Sequence, residues 1–259
     1  MAVDGSGPQK QALVAEGLRV YFEGVRAVDG VDLRLDAGQI IGLIGPNGAG
    51  KTTLLNAISG FVPLTGGKVV IAGEEVTGLS PHRLLGHRLV RTFQQVATFP
   101  ALSVFENVEL GALGAGMRRR EARARTSELL GIFGLEEWAQ YPASVLPHGQ
   151  ERRLGIARAV AGAPRFLLLD EPAAGLDDNE SVELADTIAQ IRDDYECAVL
   201  LVEHDMRVIF RVCEAIQVLD FGETMAVGSP DEIRTNRRVI AAYLGAEGAA
   251  AVEERRAEG

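Results

Sequence analysis

The chain has 259 residues, enough for one large α/β domain with an additional helical region and too few for two such domains. Hydrophobic residues make up 47% and charged residues 24%, the balance of a globular protein with a sizeable core. The formal net charge of -10 argues against unspecific binding to nucleic acid or to an anionic lipid surface, because both attract basic proteins.

The ends of the chain and its two cysteines bear on where the protein works. Residues 1–11 are polar and Gly-rich, and no run approaches the roughly 18 apolar residues of a membrane span, so we expect neither secretion nor membrane embedding. Cys197 and Cys213 lack the spacing of a metal or redox motif, which predicts buried thiols in a reducing cytoplasm. We expect a flexible N-terminus (1–12), a single domain (13–245) and a flexible tail (246–259).

The sequence predicts two kinds of strand. Alternating or β-branched segments near the N-terminus indicate an antiparallel layer, at 18–22, 31–35 and 68–72. Compact, mostly continuous apolar runs indicate strands covered on both faces in a largely parallel sheet, at 39–44, 166–169, 198–202 and 216–219.

A helical subdomain is predicted between these strands, at about 95–161. Its helices are expected at 104–113, 118–133 and 150–161. The basic run from Met117 to Arg125 is interpreted as a solvated helix face, with a phosphate or lipid-headgroup contact as the alternative.

The strongest motif is a glycine-rich loop that follows an apolar strand and opens a helix at Thr53. Its residues are Gly45-Pro46-Asn47-Gly48-Ala49-Gly50-Lys51-Thr52. Glycines let backbone N–H groups approach phosphate oxygens, and the helix N-terminus adds a favourable dipole. Lys51 is expected to reach the β- and γ-phosphates and the Thr52 hydroxyl to coordinate Mg²⁺. The loop predicts a nucleotide site, which fits kinases and GTPases equally well.

A pair of acidic residues helps to distinguish among these classes of nucleotide-binding protein. Asp170 and Glu171 end the apolar run at 166–169. The strand delivers Asp170 to the Mg²⁺ shell, and Glu171 is placed to orient or deprotonate an attacking water. The alternative is a pair of solvated acids that merely ends the strand.

In their order and spacing, these motifs resemble those of the ATP-binding subunits of ABC transporters, over residues 18–244. The resemblance implies a P-loop NTPase core with a mostly parallel sheet, an N-terminal antiparallel β layer and an inserted helical subdomain. It also implies ATP and Mg²⁺ as cofactors, and a head-to-tail dimer of ATPase subunits.

The resemblance also assigns roles to single residues. Phe22 matches the aromatic that stacks on adenine, with Tyr21 as its competitor. Gln94 matches the glutamine that links the Mg²⁺ and water site to the helical subdomain. Asp177 matches the loop between the two sites of a dimer, and His204 matches the switch histidine at the γ-phosphate. Taken singly, each of these residues also fits an ordinary core, surface or structural role.

The predicted site therefore comprises three sets of residues. The catalytic residues are Glu171, His204, Lys51 and Gln94; the nucleotide-binding residues are Phe22, Gly45, Pro46, Asn47, Gly48, Ala49, Gly50, Lys51, Thr52, Thr53, Gly149, Gln150 and Asp177; the metal-binding residues are Thr52, Gln94 and Asp170.

One motif departs from the family pattern. The signature segment Leu146-Pro147-His148-Gly149-Gln150 has Pro147 where the family usually has serine and His148 where it usually has glycine. Pro147 offers neither a hydroxyl nor an N–H to the partner's γ-phosphate. Gly149 still supplies an N–H near a helix start, where proline is tolerated, so the contact based on the helix dipole is expected to survive. We interpret the signature as a working variant because Lys51, Asp170, Glu171 and His204 are all retained.

Further stretches resemble one ATPase subunit of branched-chain amino acid importers: 58–61, 91–94, 171–176, 203–206 and 239–245. Importers of amides and urea share them, and the lipopolysaccharide-extraction ATPase shares some. The implied partners are a second ATPase subunit, of the same or a sister chain, membrane permease subunits and, indirectly, a solute-binding protein, at the cytoplasmic face of the membrane. Phe99, Leu102 and Phe105 are candidates for a socket that receives a permease helix, or for helical core.

Two other classes remain as alternatives. A non-transport ABC ATPase acting on a nucleic-acid complex is disfavoured by the acidic composition, and we expect no nucleic-acid partner. A nucleotide-gated scaffold without turnover is disfavoured by the presence of Glu171.

Overall fold

The computed structural model describes residues 12–94 and 97–243. The predicted tail at 246–259 and residues 1–11 of the predicted flexible N-terminus lie outside the described residues, as do Gln95, Leu244 and Gly245. The inclusion of residue 12 in a flexible N-terminus is wrong, because Ala12 is fully buried and pairs with Asp36 in the first strand pair.

The described residues form two sheets and the helices that pack on them. The strands, in chain order, are β1 (Ala12–Phe22), β2 (Val25–Asp36), β3 (Ile40–Ile44), β4 (Gly66–Ile71), β5 (Glu74–Glu75), β6 (Leu89–Arg91), β7 (Phe166–Asp170), β8 (Ala198–Val202), β9 (Ala215–Asp220) and β10 (Glu223–Gly228). The helices are α1 (Lys51–Ile58), α2 (Pro81–Gly86), α3 (Val104–Gly114), α4 (Arg119–Ile132), α5 (His148–Ala161), α6 (Asp178–Tyr195), α7 (Met206–Val212) and α8 (Pro230–Thr235).

The larger sheet has the order β10-β9-β3-β8-β7-β6, with β10 antiparallel to β9 and parallel pairs elsewhere. Every residue of β3, β7 and β8 is buried, as expected for parallel strands covered on both faces. The predicted parallel strands are therefore confirmed. The sequence did not indicate β6, which has three residues, or β10, whose residues are half-buried or exposed and which forms an edge of the sheet.

The smaller sheet is antiparallel, with the order β2-β1-β4-β5. Helix α1 lies between the two sheets, where Leu54, Leu55 and Ile58 belong to the same apolar cluster as buried residues of both sheets. These three side chains are at most 1% exposed, so truncating one of them to alanine is expected to cost about 2–5 kcal/mol of stability. The burial fixes the axis of α1, and therefore the loop that precedes it.

Helices α3, α4 and α5 pack on one another and confirm the three helices predicted between residues 104 and 161. Ser103 and Glu106 form a capping box that starts α3. Helix α5 begins at His148, two residues before the predicted start, because Pro147 has the extended backbone of an N-cap residue. The limits of the subdomain and of the whole domain remain predictions.

The interpretation of the basic run as a solvated helix face is wrong for Arg125. Its side chain is 12% exposed, stacks over the ring of Tyr195 at 3.6 Å and donates to the carbonyl oxygen of Val160. Burying the guanidinium against a ring and a carbonyl joins α4 to α5 and α6. The run is thus in part a packing contact.

The turn Phe221–Gly222 between β9 and β10 joins three parts of the fold. Both residues have positive φ, as a two-residue hairpin turn requires. The N–H of Gly222 donates to the carbonyl oxygen of Ala49 at 3.0 Å, and the carbonyl oxygen of Gly222 accepts from the N–H of Asp29 at 2.8 Å. One peptide segment therefore binds both the glycine-rich loop and the antiparallel sheet.

Candidate active site

The glycine-rich loop runs from the end of β3 to the start of α1. Two of its glycines lie where a side chain has no room. A Cβ on Gly45 would collide with the carbonyl oxygen of Leu219, and a Cβ on Gly50 (φ 101°) with that of Ala27. Glycine is therefore required at both positions, and the loop backbone lies close to β9 on one side and to β2 on the other.

Lys51 is the first residue of α1 and is 8% exposed. Its Nζ donates to the carbonyl oxygens of Gly45 at 2.7 Å and Pro46 at 3.0 Å, so the ammonium lies within the curve of the loop. Burial lowers the pKa of Lys51, while the nearby Glu171 and Asp170 act to raise it. A cation held among backbone dipoles and two acids is suited to contact phosphate oxygens.

The two predicted acids lie where β7 ends, at the carboxyl edge of the parallel sheet. Asp170 is 4% exposed, and its Oδ2 accepts from Nη2 of Arg91 at 2.9 Å. Glu171 has a left-handed backbone conformation, with φ 50°, and its N–H donates to the carbonyl oxygen of Val202 at 2.9 Å. A left-handed backbone is uncommon for a residue other than glycine, and such strain clusters at functional sites.

Gln94 bridges Glu171 and the helical subdomain. Its Nε2 donates to Oε2 of Glu171 at 2.8 Å. Its carbonyl oxygen accepts from Nη1 of Arg152, a residue of α5 that is 9% exposed. A rotation of α5 would therefore pull on the segment that holds the Glu171 carboxylate.

His204 lies two residues after the end of β8. Its side chain is 63% exposed, with Nδ1 lying 3.9 Å from Oε1 of Glu171 and 4.0 Å from Oε2 of Glu203. Glu203 is 1% exposed and accepts from the N–H groups of Ala173 and His204. Burial raises the pKa of the Glu203 carboxyl, and these two hydrogen bonds act to lower it. Glu203 thus holds the histidine segment against the residues that follow Glu171.

The residues present fit ATP and a Mg²⁺ ion. Among residues 12–94 and 97–243, no group of three or more His, Cys, Asp or Glu side chains is arranged to hold a metal. Mg²⁺ does not need such a group, because it binds through one or two protein oxygens, water and substrate phosphates. The exposed Thr52 on the first turn of α1 and the Asp170 carboxylate supply oxygens of the required kind.

The predicted signature residues lie apart from the loop. The ring of His148 lies against Gly175, and Gly149 lies close to Glu180 and Leu176. Oε1 of Gln150 is buried without a hydrogen-bond partner among the described residues. Asp177 caps α6, where its side chain accepts from the N–H groups of Asn179 and Glu180. Its position is thus explained by helix capping alone.

The predicted adenine contact lies in the β1–β2 hairpin. The hydroxyl of Tyr21 donates to Asp29 at 2.6 Å, and the guanidinium of Arg26 lies over its ring, which fixes this side chain. Phe22 is 46% exposed. The anchoring of Tyr21 favours Phe22 of the two aromatic residues.

Three residues of the site were missed by sequence reasoning: Arg91, Arg152 and Glu203. Each is a charged side chain in an otherwise apolar or helical context. Their contacts with Asp170, Gln94 and Ala173 span 79, 58 and 30 residues of sequence, respectively. Glu203 directly follows the predicted buried strand 198–202, and a charged residue at such a place is the sequence signal that could have found it. Arg91 ends β6, which was not predicted, so no comparable signal marks it.

Beside the acids, a cavity of about 490 Å³ opens between the sheet and the helical subdomain. Phe93 and Phe99, which are 42% and 51% exposed, line it together with Leu110, Ile156 and Asp170. Phe105, by contrast, packs against the helical core under Arg123, which favours helical core over socket for this residue.

The fold and this arrangement of loop, lysine, acids and glutamine define an ATP-binding cassette. The ABC transporter family model matches residues 28–174, and the model described as branched-chain amino acid ATP-binding cassette transporter matches residues 223–249. The chain belongs to the ABC transporter family and is an ATPase. No helix among the described residues is long and apolar enough to span a membrane.

Individual relatives are similar over nearly their whole length. The high-affinity branched-chain amino acid transport ATP-binding protein BraF of Pseudomonas aeruginosa is 41% identical over 248 residues, covering 90% of this chain and 97% of that protein. The lipopolysaccharide export system ATP-binding protein LptB of Escherichia coli is 33% identical, with the same coverage. The crystal structure of MJ1267 in its ADP conformation, an ATP-binding cassette of an ABC transporter, has a TM-score of 0.81 and 25% identity, and covers 91% of this chain and 99% of that chain.

Proposed function

We propose that this ATPase energises the import of branched-chain amino acids or related small polar solutes through separate membrane subunits. The observation that carries the proposal is the 41% identity over 90% of the chain to a branched-chain amino acid transport ATP-binding protein. The lower identity to LptB, 33%, favours import over lipopolysaccharide export. The chain would lie peripherally at the cytoplasmic face of the membrane, with a solute-binding protein as an indirect partner.

Hydrolysis would take place where the glycine-rich loop meets the carboxyl edge of the sheet. A Mg²⁺ ion bound by Thr52, Asp170 and Gln94 would neutralise phosphate charge. Lys51 and the loop N–H groups hold the phosphates at the N-terminus of α1. Thr53 belongs to the first turn of this helix. Glu171, oriented by Gln94 at 2.8 Å, orients or deprotonates the water, while His204 stabilises the γ-phosphate.

A second ATPase subunit would complete each site. The signature residues Gly149 and Gln150 lie beside the Asp177 loop, and the described contacts do not join them to the phosphate loop of their own chain. The N-terminal turn of α5 is therefore free to face the nucleotide of a head-to-tail partner, to which it offers N–H groups. Asp177 would lie at the same interface.

The cavity beside Gln94 would receive a helix of a membrane permease subunit. Phe93 and Phe99 present exposed rings there, and exposed aromatic residues in a groove are typical of protein-binding surfaces. Arg152 and Asp170 also line the cavity. A bound helix would thus press on the residues that hold Gln94 and the metal carboxylate.

A reconstitution experiment tests the proposal. The chain is purified with the membrane subunits that co-extract with it, placed in vesicles, and assayed for ATP-dependent uptake of leucine, urea and an amide. We expect the wild-type chain to support leucine uptake and Glu171→Gln to abolish it. Stimulation of the ATPase by lipopolysaccharide without uptake of any solute would replace import by export. RNA or DNA binding without a membrane partner would overturn both.

A further inference from the structure

Arg91 is a buried charge to which neither the motif roles nor the proposed reaction gives a part. It ends β6, which pairs in parallel with β7, so that its backbone lies next to Leu168 and its side chain reaches Asp170. The Arg91 and Asp170 side chains are 4% and 5% exposed. A buried ion pair of this kind is costly to desolvate, and removing one partner leaves the other as an uncompensated buried charge.

The guanidinium has several partners besides Asp170. Nη1 donates to Oδ1 of Asn56 at 2.7 Å and to Oγ of Ser59 at 3.0 Å, both at the end of α1. The rings of Phe93 and Phe61 lie 4.9 Å and 5.8 Å from the guanidinium carbon and pack edge to face against each other. The charge is thus held from both the polar and the aromatic side, and it has little freedom to move.

The bond to Asp170 is made to one oxygen. Arg91 binds Oδ2, and Oδ1 accepts no hydrogen bond from the described residues. A carboxylate fixed through one oxygen cannot rotate freely, and its second oxygen keeps a defined direction. Partners that orient a metal-binding carboxylate in this way commonly matter almost as much as the ligand itself.

We infer that Arg91 is a positioning residue, which fixes the Asp170 carboxylate for Mg²⁺ and ties it to the end of α1 and to the Phe61–Phe93 pair. The inference rests on the proposed role of Asp170 as a metal ligand. The alternative predicts the opposite effect of removing Arg91 on metal affinity. If the cation acts on the nearby metal site only through repulsion, its removal tightens metal binding.

The sign of the effect is measurable without turnover. In the full chain carrying Glu171→Gln, the affinity for ATP is titrated in EDTA and with increasing Mg²⁺, and Mn²⁺ binding to the ATP complex is followed by its paramagnetic resonance signal. Arg91→Met is expected to weaken the apparent metal affinity about tenfold and to leave the affinity for ATP in EDTA unchanged. Unchanged or tighter metal binding overturns the inference.

Other variants separate this outcome from misfolding and from failure of the proposed site. Arg125→Met removes another ring-stacked arginine, whose side chain is 12% exposed and contacts Tyr195 and Val160 rather than Asp170, and is expected to leave metal affinity unchanged. If Arg91→Met does not fold, Arg91→Lys and Asn56→Ala replace it as the test. Each is expected to weaken metal binding by less than Arg91→Met would. Metal binding that is unchanged in both variants overturns the inference.

Asp170→Asn provides the reference. If this change does not weaken metal binding, the proposed metal site itself is wrong. If it does, Arg91→Met should add nothing in the Asp170→Asn background, because Arg91 acts through that carboxylate. Full additivity of the two losses would show that Arg91 acts independently of Asp170.

Discussion

The side-chain amide of Gln94 donates to the carboxylate of Glu171, and the carbonyl oxygen of the same glutamine accepts from Arg152 in the helical subdomain. Gln94 therefore has two attachments, one to the group proposed to act on water and one to a helix of the neighbouring subdomain. This double attachment offers a physical route by which a movement of the subdomain reaches the reacting atoms.

Glu171→Gln should preserve ATP binding and lower hydrolysis at least about 100-fold, because an amide cannot take a proton from water. The ATP complex should then accumulate as a dimer, visible in gel filtration with ATP and absent with ADP. Glu232→Gln, a change in the cap of the remote helix α8, serves as the control. Turnover that survives in Glu171→Gln would remove Glu171 from the mechanism.

Arg152→Met should lower kcat by roughly tenfold to a hundredfold with little change in ATP affinity, because it frees the Gln94 segment without touching the phosphate loop. The matched control is the same change to methionine at the neighbouring Arg153, which also lies on α5 but pairs with Glu183. Steady-state ATPase kinetics measure both variants. Equal losses in the two would trace the effect to general damage to α5.

Pro147→Ser should strengthen the start of α5. Pro147 occupies the N-cap without a side-chain hydrogen bond, and a serine hydroxyl there is worth about 1 kcal/mol. The same hydroxyl would face the partner's phosphate, so turnover should rise together with the unfolding midpoint. Pro147→Ala tests the loss of the ring alone. A more stable variant with unaltered turnover would mean that the missing hydroxyl is unimportant to catalysis.

Cys197 and Cys213 are buried and free, and burial raises the pKa of each thiol from 9.0 to about 12. A pKa raised in the folded state contributes stability that is present below pH 9 and is lost as the pH rises from about 9 to 12. Alkylation should therefore be slow until the chain unfolds.

The measurement of this effect compares the wild-type chain with the Cys197→Ala variant. The difference in their free energies of unfolding should shrink as the pH rises above 9, because only the wild type loses the contribution of this thiol. A difference that stays constant with pH would contradict the burial argument.

The sequence predicted the glycine-rich loop, the buried strands and the three helices of the subdomain because each is encoded locally. A strand such as β8 is a continuous apolar run, and the loop needs eight adjacent residues. Short β6 and edge strand β10 have no comparable pattern, so their existence depends on the neighbours that folding provides.

The motifs of the candidate site could be recognised in the sequence, but the residues that support the motif residues could not. Arg91 and Asp170 are 79 residues apart, and Arg152 and Gln94 are 58 apart, so their pairing is decided by how the strands and helices assemble. The choice between Tyr21 and Phe22 depended on an Asp29 contact that no spacing rule reveals.

The Gly222 peptide also constrains how the subunit can move. Its N–H binds the phosphate loop and its carbonyl oxygen accepts from Asp29 in the antiparallel sheet, so sliding one sheet over the other would break the hydrogen bond to Asp29. The two sheets and the loop should therefore travel as a single rigid block when nucleotide is exchanged. Hinge motion is then expected at the Gln94 segment, where hydrogen exchange with and without ATP would detect it.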